Sequence, residues 1–363
     1  MRKQLSRRTF LRSTAAGGLA AAGLVGAWPG RRRAWAKDPV TAVDWGNPYL
    51  DASKAMADRQ GKLDVTWVAH EGGGAAILAK IKATWPNTPY DVIDNWSPVF
   101  ITMVREGWAE TVTVKDVPNL ADVPEGLIAK DDKGNWKNIP RSTSGACFAY
   151  NPEKSPVEIK SLQDLFNPKL KGQIAWPGPV MNTSLQVVAF ALANGGNERN
   201  MDPGFKLLQD LAKTGNIGRV YTVHTEAVAS MTSGETSVLF GDQGTLSPIA
   251  AAVPLKYVTK SDPMLKTFFL TEGWVVMSNS KKKQAAFELA NFSISPDECF
   301  AFNTAVGLNP ANKKSKPIKG LEHLVFSDDE IKTFGYFPDY DFMSKQVDGW
   351  VKRFESDITP LLK

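Results

Sequence analysis

Apolar and polar residues follow one another along this chain in a repeating order: a short apolar run, a few turn residues, then a stretch with apolar positions three and four apart. The run VTAVDWGN (40–47) predicts a buried strand ending in a turn, with a helix over 50–59. LDVTWVA (63–69) predicts a second strand. Gly72-Gly73-Gly74 then opens a helix whose Ile77, Leu78, Ile81 and Trp85 share one face. YDVID (90–94) predicts a third strand, followed by a helix carrying Phe100, Met103, Val104 and Trp108. Three such units in succession imply a parallel sheet with helices on its faces.

The polar stretch 131–135 interrupts this set, and a second follows. Its strands are GACFAYN (145–151), GQIAWPG (172–178), GRVYTV (218–223) and TSVLFGD (236–242). Ser161 to Asp164 has the form of a capping box. Asn182, Thr183 and Ser184 are N-cap types before a helix with Leu185, Val188, Ala189 and Leu192, and Thr225 is placed to cap the next one. EGWVVMS (272–278) predicts a return strand, and 283–295 a helix with Ala286, Phe287, Ala290 and Ile294 on one face. The last forty residues, roughly, read as a loop with one or two helices.

The N-terminus changes the meaning of the charge. Ser6-Arg7-Arg8-Thr9-Phe10-Leu11 is a twin-arginine pattern, an apolar run extends from Ala15 to Trp28, and Ala34-Trp35-Ala36 has the form of a cleavage site. Residues 1–36 therefore predict a Tat export signal removed after Ala36, which places the protein in the periplasm. A basic N-terminal tail is the alternative, although Arg31 to Arg33, so near the cleavage site, suit the Tat route. The whole chain carries 43 Lys and Arg against 38 Asp and Glu, a net of +5. The signal holds eight of those cations and no acid, so the remainder has 35 against 38, a net of −3. The basic excess belongs to the signal and gives no reason to expect nucleic acid as a partner. Cys147 and Cys299 lie in apolar neighbourhoods and read as buried free thiols, with a disulfide open to an exported protein. No CxxC or HExxH spacing occurs, and the three histidines, His70, His224 and His323, form no catalytic pattern. No enzyme activity, cofactor or metal is expected.

Three stretches carry a resemblance: GACFAYNPEKSPVEIKSLQDLFNPKLKGQIA (145–175), EAVASMTSGETSVLFGDQG (226–244) and EGWVVMSNSKKKQAAFELANFSISPD (272–297). The chain resembles the type II periplasmic solute-binding proteins of ABC importers, specifically the extracellular solute-binding branch around the spermidine/putrescine-binding proteins. The resemblance implies an α/β fold of two lobes, each a mixed sheet flanked by helices, joined by two hinge strands. Lobe one would hold 38–139 plus 270–320 and lobe two 140–269, with 321–363 a C-terminal helical segment packing on them. The implied function is capture of a small polar solute by hinge closure and delivery to permease subunits in the inner membrane, with the binding protein a monomer. A sensor module that presents its loaded form to a receptor is the rival.

Ligands of α/β sheets bind beyond the carboxyl ends of the strands. That rule selects Trp45, Asn47, Glu71, Asn95, Trp96 and Ser97 from lobe one and Asn182, Thr183, Thr225, Asp242 and Gln243 from lobe two, with Thr143, Ser144, Glu272 and Trp274 near the hinge. By the resemblance, Trp45 falls where polyamine binders place an aromatic residue and Glu272 at an Asp of their return strand, whereas Asp242-Gln243 replaces a Trp-Asn pair. The tryptophans would equally suit a core, and Asp44, Asp94, Glu71 and Glu272 would equally cap helices or pair with Lys. Taken together, carboxylates and aromatic faces with little Arg or Lys besides Arg141 favour a polyamine-like organic cation. The Gly-rich and Asn-Thr-Ser helix starts favour a small anion, such as an organophosphonate or carboxylate. Ferric iron is disfavoured, because related iron binders use adjacent tyrosines and this chain has none.

Overall fold

The computed structural model describes residues 39–46, 48–70 and 73–362. The export signal read over residues 1–36 lies outside the described residues. The strands are β1 (Val40–Asp44), β2 (Val65–Ala69), β3 (Val92–Trp96), β4 (Ile139–Tyr150), β5 (Ile174–Pro177), β6 (Ile217–Tyr221), β7 (Val238–Asp242), β8 (Lys256–Val258), β9 (Thr267–Val276), β10 (Asn309–Pro310) and β11 (Gly335–Tyr336). The main path of the sheet runs β2-β1-β3-β9-β4-β7-β5-β6, with β8 and β10 paired to β4 and β11 to β9.

One arrangement is built twice. β1 pairs parallel with β2 and β3 on either side, and β5 pairs parallel with β6 and β7 in the same way. Between the two sets run β9 and β4, antiparallel to each other from Ile139 opposite Trp274 to Ala146 opposite Phe268. β9 gives its C-terminal half to β3, and β4 gives its C-terminal half to β7. Both strands thus cross from one set to the other.

Alternation along each strand separates the cores. In β4 and β7, Ala146, Phe148, Tyr150, Val238 and Phe240 enter one apolar cluster, while Cys147, Ala149 and Leu239 enter another on the opposite face. In β1, β3 and β9, Val40, Ala42, Val92, Trp274 and Val276 face one cluster, and Val43, Ile93 and Val275 the other. Helices cover both faces. Helix Asp202–Thr214, which the sequence reading does not assign, buries Phe205, Leu208, Leu211 and Ala212. Helix Tyr340–Asp357 contributes Tyr340, Met343, Trp350 and Phe354 to the cluster under β4 and β7. Both cysteines are buried and unpaired.

The crossing strands are longer than the sequence pattern indicates. β4 begins at Ile139 rather than 145, and β9 at Thr267 rather than 272. Arg141-Ser142-Thr143-Ser144, polar residues before the strand that the sequence pattern marks, are drawn into the sheet by backbone pairing with β9 and β10. The capping box at Ser161 and Asp164 is present. Ser184 occupies the N-cap of helix Leu185–Ala193, with a left-handed backbone and its hydroxyl donated to the Pro179 carbonyl rather than used for capping. Thr183 lies in the 3-10 turn before it, and Val223 rather than Thr225 occupies the cap of the next helix.

Close approach of the crossing strands depends on Gly273. A Cβ there would lie 2.3 Å from the Ile139 carbonyl oxygen and 2.8 Å from the Pro140 Cα, both main-chain atoms that cannot rotate away. Gly273→Ala is expected to lower stability by about 1–3 kcal/mol, the usual cost of overpacking. Urea unfolding checks this, and an unchanged midpoint would show that the strands separate freely.

Candidate functional site

β1 and β3 end side by side and deliver Trp45 and Trp96 to one edge of the sheet. The Trp45 indole stacks on the His70 ring at 4.3 Å. His70 Nε2–H donates to the Asp94 carbonyl at 2.7 Å, and burial lowers the pKa of this imidazole, favouring its neutral form. Asn95 Oδ1 accepts from the Trp96 N–H, and Trp96 is about 38% exposed. Trp45, Trp96 and Tyr49 wall a cleft of about 430 Å³. Ser144 of β4 and Leu270, Thr271 and Glu272 of β9 complete it from the crossing strands, with Leu308 nearby.

Beneath the cleft lies a buried cluster of charge. Arg141, Asp44 and Asp94 are each 0% exposed, and Glu272 is 6% exposed. The Arg141 guanidinium donates to Asp94 Oδ2 at 2.5 Å, Glu272 Oε1 at 2.6 Å, Ser53 Oγ at 2.8 Å and Asp44 at 3.4 Å. Ser53 also donates to Asp44 Oδ2. Phe302 and Trp274 place ring faces 3.5 and 4.6 Å from the guanidinium carbon. Burial alone would weaken the guanidinium's hold on its proton, but Asp94, Glu272 and Asp44 outweigh burial and keep it charged. Burial raises the Asp94 carboxyl well above its usual range despite Arg141. Burial also acts against ionised Glu272, yet Arg141 and a hydrogen bond from Asp94 hold it below its usual range. Asp44, Asp94 and Glu272 offer oxygens within 4.8 Å of one another, a metal-like spacing at which Arg141 supplies the positive charge.

The structure therefore brings Trp45, Trp96, Ser144 and Glu272 together in the cleft wall. Ser97 lies just behind, its buried hydroxyl bonded to the Thr271 carbonyl and hydroxyl. Asn95 is fully buried, and Thr143 faces a separate cavity of about 150 Å³ beside Asn309 and Phe269. Trp274 is fully buried, donating its indole N–H to Ser293 Oγ and its ring face to Arg141, so it supports the cluster. Asp242 caps helix Gln243–Ala252 through the Thr245 N–H, and Gln243 donates to Ser247. Thr225 is exposed beside Glu226, and Thr183 sits in its 3-10 turn. Asp242, Gln243, Thr225 and Thr183 are not among the described lining of the 430 Å³ cleft. Asn47, Glu71 and the side chain of Asn182 lie outside what is described.

Two corrections concern charge. Asp44 and Asp94, counted among the carboxylates a ligand could meet, turn inward to Arg141. Arg141, set aside as an isolated cation, is their common partner. Sequence reasoning also missed Tyr49, Leu270, Thr271 and Leu308. Tyr49 follows the β1 turn by only a few residues, and Leu270 and Thr271 lie on β9 immediately before Glu272, where a fuller strand assignment would have found them; Leu308, just before β10, carries no such signal.

A family model described as bacterial extracellular solute-binding protein matches residues 52–332. The chain is similar in structure to an ABC transporter protein from Clostridium perfringens at 20% identity, covering 88% of this chain and 100% of that one, with a TM-score of 0.69. It is similar to a spermidine/putrescine ABC transporter substrate-binding protein from Streptococcus pneumoniae, solved with calcium and HEPES, at 16% identity, 88% and 100% coverage and a TM-score of 0.67. A Bordetella ferric binding protein matches at 17% identity, 88% and 100% coverage and a TM-score of 0.65. At these identities the likeness establishes the two-lobed α/β fold. No curated protein sequence matches the chain.

Removing the guanidinium would leave buried carboxylates unpaired. Arg141→Met is expected to cost about 3–5 kcal/mol at pH 7. Part should return at pH 5, because carboxyls that gain a higher folded-state pKa favour the native state increasingly as pH falls towards the unfolded value. Urea unfolding at both pH values measures this, and an equal loss at each would point to packing alone.

Proposed function

This chain belongs to the bacterial extracellular solute-binding protein family, and on that premise we propose that it captures a small organic cation in the cleft at the crossing strands and delivers it to the permease of an ABC importer. The observation that carries the reading is the combination of Trp45, Tyr49 and Trp96 with Glu272 in one wall. Aromatic faces attract a cation through their quadrupoles, and a carboxylate at the same wall adds charge pairing. The buried cluster strengthens the field, since three carboxyl groups face one guanidinium. The name of the Streptococcus pneumoniae protein, which refers to spermidine and putrescine, points the same way.

Delivery requires that loaded and empty forms differ. In this reading 38–139 plus 270–320 form lobe one and 140–269 lobe two, with 321–363 packed against them. β4 and β9 are the hinge, and closure brings lobe two over Trp45 and Trp96. The protein reaches the periplasm through the Tat route and loses residues 1–36.

Calorimetry against putrescine, spermidine and a panel of carboxylates and phosphonates tests the ligand class. A cation is expected to bind, and Glu272→Gln to weaken it by about 1.5–3 kcal/mol, the worth of a charged hydrogen bond. Tight binding of an anion, unchanged in that variant, would overturn the reading. For export, replacing Arg7 and Arg8 together by Lys should leave unprocessed precursor in the cytoplasm. Normal processing to a Lys37 N-terminus would rule out the Tat assignment.

A further inference from the structure

Glu272 belongs both to the cleft wall and to the buried cluster. Its Oε1 is taken by Arg141. Its Oε2 and Asp94 Oδ1 are both buried, and neither receives a hydrogen bond from a fixed donor. A buried acceptor without a donor is costly, and two like-charged carboxylates side by side are costlier. One proton placed between them removes both penalties, as a carboxyl–carboxylate hydrogen bond.

Ser142 of β4, opposite Glu272, offers that residue a buried hydroxyl, but no described neighbour supplies a donor to Asp94 Oδ1. From β1 comes another carboxyl group, Asp44. After β2 comes His70, which burial favours as neutral and whose Nε2–H is already donated. Helix Tyr49–Gln60 brings Ser53, committed to Asp44, and Tyr49, which burial and the nearby Glu272 keep protonated. β4 brings Arg141, a single positive charge divided among three carboxyl groups. Glu272 faces the Ser142 hydroxyl and reaches the cleft, whereas Asp94 is fully enclosed with Oδ1 lacking a donor, which places the proton on Asp94 and the charge on Glu272; burial, raising the Asp94 carboxyl, acts in the same sense.

We propose that Asp94 is a positioning residue for ligand charge: it holds one proton against Glu272, and a cation seated on Glu272 expels that proton to solvent. The exchange balances, one positive charge entering as one leaves, with Asp94 left as a carboxylate on Arg141. It rests on the cation reading above and makes affinity rise with pH.

Asp94→Asn is the isosteric mimic of the protonated form, its amide N–H free to donate to Glu272 and its oxygen to accept from Arg141. A group whose folded pKa is raised contributes stability at low pH that is lost as pH rises towards the folded value. The ligand-free wild type should therefore lose thermal stability relative to Asp94→Asn between pH 5 and 8, so that the difference in Tm widens with pH. Parallel curves would overturn the shared proton. Should the variant not fold, the carboxyl carbon shifts of ¹³C-labelled wild type decide: Asp94 protonated at pH 7 supports the proposal and both groups ionised overturns it. Putrescine calorimetry in buffers of different ionisation enthalpy then tests expulsion. Release approaching one proton per putrescine in the wild type, and none in Asp94→Asn, is expected. Binding without release would overturn the coupling. Failure of putrescine to bind at all would instead overturn the ligand reading and the expulsion with it, while the unfolding comparison still decides whether the pair holds a proton.

Discussion

Everything at the centre of this protein is arranged around one guanidinium that has been removed from water. Arg141 reaches carboxyl groups from β1, β3 and β9 while standing on β4, so four neighbouring strands of the sheet meet in a single ionic contact. Charges taken this far from solvent are tolerated only when paired and hydrogen-bonded. Each strand must therefore arrive in register for the others to be satisfied. The aromatic faces of Phe302 and Trp274 close the remaining sides of the cation. Such a cluster contributes less net stability than its short distances suggest, because desolvation opposes the attraction. What it fixes is geometry: the cleft wall rests on Glu272, and Glu272 is held in place by Arg141.

The same strands explain why the cleft lies where it does. β4 and β9 are common to both sets, so the apolar clusters on either side cannot merge across them. Polar residues of the crossing strands, among them Ser144, Thr271 and Glu272, are left between two cores. Apolar packing builds each half, and the interruption in that packing is the site. Trp45 and Trp96 reach it because parallel strands deliver their following residues to one edge.

Much of this was legible in the chain, and for a physical reason. Strands with separate clusters on their two faces show regular apolar positions, so β1, β2, β3, β5, β6 and β7 appear close to where the sequence places them. The start of β4 was hidden because Arg141 to Ser144 are polar residues satisfied by partners far along the chain. Asp94 is 47 residues from Arg141 and Glu272 is 131 away. No periodicity records such a pairing. The strand-end rule found Trp45, Trp96 and Glu272 but could not separate a carboxylate that faces the cleft from one that faces inward. Asp44 and Asp94 look the same as Glu272 in sequence, and only the position of the guanidinium distinguishes them.

The twofold use of one strand arrangement carries a consequence for the order in which the chain acquires its structure. The first set is not complete when its three strands have been made, because Trp274, Val275 and Val276 of its cores lie on β9. Nor is the second, whose main core takes Tyr340, Met343, Trp350 and Phe354 from the C-terminal helix. A nascent chain ending before Thr267 has closed neither core, and one ending before Tyr340 still leaves the second open. Contacts between segments so far apart reward the chain only after a large loop-closure entropy has been met. Cooperative folding is thus deferred until helix Tyr340–Asp357 has been made, and until then the exposed β-strands depend on whatever in the cell shields unfinished chains.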